Sequence, residues 1–125
     1  RDRYEHGQSR IGGNIWEMPL QYIENSPLFN MDKETTPILI MHNDADGHVP
    51  WYQGIEYFIA LKRLQKPVWL LNYTGEPHWP MRLANRIDFQ KRMFQFFHHY
   101  LQNAPMPKWM NEGVPAVDQD FELGY

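Results

Sequence analysis

Cysteine is missing from all 125 residues. Its absence rules out disulfides, thiolate metal centres and a cysteine nucleophile, and leaves the redox compartment open. Serine is scarce, with only Ser9 and Ser26. An excess of positive charge is lacking too. Twelve basic residues against fifteen acidic ones give a net charge of −3 and a pI near 6.0, so there is no electrostatic case for nucleic acid. No apolar run approaches the roughly 18 residues of a membrane span, and the opening RDRYEHGQSR has no apolar signal core. The first residue is Arg, not Met, so a native start is expected to have been removed, and a targeting signal could have gone with it. What is present is apolar and aromatic material, 42% and 15% of the chain, enough for a core and too much for a disordered segment.

Two short apolar runs organise the rest. Ile38-Leu39-Ile40-Met41 and Val68-Trp69-Leu70-Leu71-Asn72-Tyr73 are continuous rather than alternating, which predicts strands buried on both faces, the habit of parallel sheets in α/β proteins. Pro37 opens the first, where a missing N–H is tolerated. Tyr52 to Gln65 reads as a helix with an apolar sector of Ile55, Phe58, Ile59, Leu61 and Leu64. Gly54 is a misfit in its interior, and Pro67 ends it. Strand, helix and strand over about 35 residues make a βαβ unit with a right-handed crossover. Ala84 to Asn103 reads as the longest helix, with Phe89, Met93, Phe96 and Tyr100 on one face, widened by Phe97 and Leu101. Upstream, Ile15 to Ile23 suggests a short helix broken by Pro19, and Asn25-Ser26-Pro27 a turn. Residues 30–36 read as a charged connector. The division expected is a lead-in over 1–35, a βαβα unit over 36–103 and an irregular tail over 104–125.

Each strand runs into a polar loop. The first, His42-Asn43-Asp44-Ala45-Asp46-Gly47, offers two carboxylates, with Asn43 and Gly47 able to take positive φ. The second, Thr74 to Pro80, offers Glu76 and His78. In open α/β sheets the working groups sit at the carboxyl ends of strands, where Asp46 and His78 both fall. A carboxylate can fix an imidazole's tautomer while the imidazole shuttles a proton for a nucleophile. A blander reading has Asp44 and Asp46 capping the next helix or closing an Asx-turn, with His78 an ordinary loop histidine. The spacing His42-x-Asp44-x-Asp46-Gly47 has the look of a calcium loop, but it starts with His, and its twelfth position, Gln53, is no bidentate acid. Zinc through His42, Asp46, His48 or His78 matches no established ligand spacing. No metal and no cofactor are expected. Trp51 and Trp79 flank the loops and could line a pocket or simply pack.

The stretch TPILIMHNDADGHVPWYQGIEYFIALKRLQKPVWLLNYTGEPHWP resembles the end of the catalytic domain of prolyl oligopeptidase-type serine peptidases and their dipeptidyl-peptidase branch. That family shows a strand, then HG-x-x-D-x-x-V, a helix, a second strand and a loop ending in D/E-x-H. His42 begins the first motif, Val49 matches its valine and Gln53 a recurrent glutamine. The resemblance places Asp46 on the triad aspartate and, through Glu76-Pro77-His78, His78 on the triad histidine, 32 positions further on. NRIDFQKRMFQFFHHYL resembles the family's last helix and YIENSP the lead-in to the first strand. Asn43 stands where the family usually has glycine, and Trp79-Pro80 follows the histidine where glycine is common.

The resemblance implies an α/β-hydrolase fold of which this chain is the C-terminal part. The family's nucleophile sits upstream on a G-x-S-x-G elbow. Ser9, in Gly7-Gln8-Ser9-Arg10-Ile11, lacks the closing glycine and a preceding apolar strand, and Ser26 is a turn serine. The expectation is therefore a serine-peptidase fragment that supplies Asp46 and His78, acts on peptide substrates through the full-length enzyme and is inactive alone. The alternative is a non-catalytic interaction or structural module that keeps the fold; an intact or degraded elbow upstream of Arg1 separates the two. A sheet of so few strands leaves an open edge, which predicts a homo-oligomer. The resemblance leaves localisation unknown, with a lean toward periplasmic or secreted relatives.

Overall fold

Two parallel strands of equal length carry the loops, and their pairing sets everything downstream. A computed structural model describes residues 5–7, 10–115, 117–119 and 121–125. Strand β1 (Ile38–Met41) pairs with β2 (Val68–Leu71) in the register Ile38↔Val68 through Met41↔Leu71. The ladder extends one rung at each end, with Ile38 N–H donating to Pro67 O and His42 N–H to Leu71 O, both at 3.0 Å. The strands therefore end level, and their following loops leave side by side.

The continuous apolar runs carry packing on both faces, but less burial than their lack of alternation predicts: Val68 is buried and the other seven strand residues stay part-exposed. Ile38, Ile40 and Val68 face a cluster with Met31 and Leu61. Leu39, Trp69 and Leu71 face the other, built on Phe96, Trp109 and Met110. The lead-in holds the short helix α1 (Pro19–Glu24), and the first face is covered by the crossover helix α2 (Trp51–Arg63). Pro19 opens α1 instead of breaking it, because at the first helical position a missing N–H costs no bond. The expected charged connector begins inside a 3-10 helix, Pro27–Lys33, which delivers the buried Met31.

Leu61 is the fully buried anchor of α2, whereas Ile59 and Leu64 from the same expected sector are 45% and 43% exposed. The helix ends through Gln65 at φ 56°, with Lys66 N–H returning to Leu61 O at 3.0 Å, the six-to-one closure of a Schellman motif. Helix α3 (Leu83–Gln102) covers the second face. Phe96 is buried on it, with ring contacts to Trp69 and Tyr100, while Phe97 and Leu101 stay open to solvent. Asn103 in the left-handed region ends α3.

The tail is not irregular throughout. It forms α4 (Lys108–Asn111), whose Trp109 and Met110 are buried against α3 and β2. Trp69 Nε1–H donates to Met110 O and Trp109 Nε1–H to Gln95 Oε1, each at 2.8 Å. The indoles thus bury their rings and keep their polar edges bonded.

Candidate active site

Because β1 and β2 end level, the loop of residues 42–50 lies against that of residues 72–82. The contact is made by side chains. Asp46 Oδ1 accepts the N–H groups of His48 at 2.8 Å and Val49 at 3.0 Å. Its Oδ2 accepts His78 Nδ1–H at 2.8 Å. The Asx-turn and the carboxylate–imidazole pair are therefore not rivals, since one carboxylate makes both. Neither Asn43 nor Gly47 takes positive φ; the loop is closed by the Asp46 side chain rather than by a left-handed residue.

The Asp46 side chain is only 4% exposed, against 42% for His78. Burial pushes the Asp46 carboxyl up, but the hydrogen bonds from Val49, His78 and His48 outweigh it and hold the group well below the usual carboxylate range. An ionised Asp46 accepts hydrogen bonds only, so the proton between the two side chains rides on Nδ1 of His78. That fixes the tautomer and leaves Nε2 as the basic nitrogen. Among the described residues, no protein group bonds to it.

His42 supports the same loop from below. Its Nε2–H donates to Val49 O at 3.1 Å, with Asp46 Oδ2 3.5 Å away. Trp51 packs edge-on against the His42 ring at 5.4 Å, which assigns it to packing. Gly54 of α2 lies under the imidazole, and a Cβ there would sit 2.3 Å from His42 Nδ1. The misfit glycine is a clearance for His42.

Glu76, offered by the sequence alongside His78, does a different job. It is 2% exposed and accepts from Met81 N–H at 2.6 Å, Arg82 N–H at 3.1 Å and Asn85 Nδ2 at 2.6 Å. It thereby fastens the far side of the His78 loop to the start of α3. The bond from Met81 N–H leads the causes that hold its carboxyl below the ordinary value. Asp44 turns away from Asp46, its Oδ1 accepting Gly75 N–H at 2.8 Å, so the two aspartates do not converge on one centre as a calcium loop requires.

A second polar group braces the end of β2. Asp88 on α3 accepts Tyr73 Oη–H at 2.6 Å, Arg92 Nε–H at 2.8 Å and the hydroxyl of Tyr125. Burial, then the bond to Asp88, pushes the Tyr125 phenol up to about 12. No periodic pattern announces this group, since its members come from a strand end, a helix and the tail. Trp79, 63% exposed, stands edge-on to His78 at 5.6 Å. It borders an open groove of about 490 Å3 lined also by Pro80, Met81, Arg86 and Phe89. Ser26 lies in the lead-in before the 3-10 helix; Ser9 falls outside the described residues.

A carboxylate, a correctly protonated imidazole and an open Nε2 can move a proton to and from a third group. Comparison with known proteins gives the family. Residues 2–104 match the model of the prolyl oligopeptidase family. The dipeptidyl-peptidase 5 of Porphyromonas endodontalis is 30% identical over 96 residues, covering 74% of this chain and 14% of that protein. The acylamino-acid-releasing enzyme of Rattus norvegicus is 38% identical over 88 residues, 70% of this chain and 12% of that enzyme. The dipeptidyl-peptidase 5 of Aspergillus oryzae is 26% identical over 117 residues, 89% and 16%. The chain thus spans only 12% to 16% of the length of these relatives.

Proposed function

The chain belongs to the prolyl oligopeptidase family of serine peptidases, and from that premise we propose that it supplies the aspartate and histidine of a Ser-His-Asp triad. The observation that carries this reading is the 2.8 Å bond from His78 Nδ1–H to Asp46 Oδ2 at the carboxyl ends of two parallel strands. In the proposed reaction, His78 Nε2 takes the proton of a serine hydroxyl as that oxygen attacks the substrate carbonyl. Asp46 steadies the imidazolium, and His78 then gives the proton to the leaving amine.

The serine is proposed to come from a G-x-S-x-G elbow outside these 125 residues, since neither Ser9 nor Ser26 has that surrounding. The substrate class proposed, by the names of the relatives, is a peptide from which a dipeptide or an acylated amino acid is released. A fluorophosphonate probe, which reacts with an activated serine, tests the division of labour. The whole protein containing this chain is expected to label once, and residues 1–125 alone not at all. Labelling of Ser9 or Ser26 in the short chain contradicts it. An unlabelled whole protein favours a non-catalytic module.

A further inference from the structure

Asn43 is fully buried, with 0% of its surface exposed, and from the start of the first loop's turn its side chain reaches across to the second loop. Its Nδ2 donates to Pro77 O at 2.7 Å, and its Oδ1 accepts Tyr73 N–H at 3.1 Å. One amide thereby spans the loop that carries His78, from its root to the residue immediately before the histidine. On its own side of the gap, Asn43 O accepts Asp46 N–H at 3.3 Å. The shortest chain of bonds from Asp46 to His78, apart from their direct contact, runs through this side chain. Its φ is not in the left-handed region, so backbone conformation is no reason for asparagine here. The amide is the reason, and a glycine could not supply it.

We propose that Asn43 is a positioning residue for His78, a buried clasp that sets the separation between imidazole and carboxylate; this rests on the triad reading above. Pro77 O and Tyr73 N–H are polar groups whose bonds go to Asn43. Removing the amide leaves both short of a partner and frees the backbone next to His78 to drift. Geometry at a proton-transfer centre is sensitive to displacements of about 1 Å, which cost up to roughly 100-fold in rate. The effect belongs to turnover, because Asn43 is buried behind the loops and touches no substrate.

The test is steady-state kinetics of the whole protein containing this chain, with a dipeptidyl p-nitroanilide as probe. Asn43→Ala is expected to lower kcat roughly 10- to 100-fold with KM within about twofold. Asn43→Asp keeps the size and the acceptor for Tyr73 N–H but sets an oxygen against Pro77 O, and it is expected to lose kcat similarly; it decides the matter if Asn43→Ala does not fold. Asn72→Ala, which breaks the neighbouring bond from Asp44 N–H to Asn72 Oδ1, is expected to stay within about twofold of wild type in kcat. Unchanged kcat in Asn43→Asp, or an equal loss in Asn72→Ala, overturns the proposal. Asp46→Asn separates the two levels. If it too keeps wild-type kcat, the triad reading falls; if it alone fails, the triad stands and the clasp does not.

Discussion

Asp46 is an anion whose side chain water scarcely reaches, and it is stable there because three donors converge on it. Glu76 is in the same situation on the other loop. Both carboxyls titrate below their ordinary values of 3.8 and 4.5. A depressed folded-state value means that the unfolded chain binds the proton first. The stabilisation is therefore complete above the ordinary values and is lost as pH falls through the depressed ones. Thermal midpoints measured from neutral pH downward are expected to fall steadily below about pH 5. Asp46→Asn and Glu76→Gln should each start lower at neutral pH and show a shallower acid decline. Parallel declines in wild type and variants would mean that these carboxylates are not the titrating groups. At this scale the sequence was half legible. Asp46 and His78 could be singled out by type and position, but Asn43 read as a residue tolerated in a turn, because a bond across 34 positions to Pro77 leaves no local pattern.

Among the elements, α2 shows how a local rule gives way to a tertiary one. Glycine is about 1 kcal/mol worse than alanine inside a helix, so Gly54→Ala should help if the helix stood alone. The new Cβ would instead meet His42 Nδ1 at 2.3 Å, and both helix and imidazole are held in place. Gly54→Ala is expected to destabilise the fold by about 1–3 kcal/mol, as overpacking does, read from urea unfolding. A gain in stability would show that His42 is free to move. The strands and the two long helices were legible because continuous apolar runs and a 3.6-residue period survive in the sequence. α4 was not, since four residues are too few to display a period. Its Trp109 and Met110 declare themselves only by packing on Phe96.

Across the whole molecule, the apolar surface exceeds what the fold covers. Trp16, Leu20, Leu83, Leu101 and Phe121 are between 66% and 92% exposed, and the described sheet has only two strands, each with an open edge. Such surfaces seek a partner. Residues 1–125 alone are expected to form dimers or larger assemblies by light scattering at micromolar concentration; a stable monomer would count against this. Strand number alone leads to the expectation of oligomers, but which apolar residues stay open is not legible in the sequence, because Phe97 and Leu101 carry the same periodic signature as the covered Phe96.

The pair at the strand ends is the centre of the proposed activity, and kcat/KM of the whole protein carrying Asp46→Asn is its most direct measure. A triad aspartate replaced by its neutral isostere leaves the imidazole in place but releases its tautomer, at a cost of roughly 10,000-fold. A loss of that order in a folded variant is the predicted result. Activity within a few-fold of wild type would contradict it.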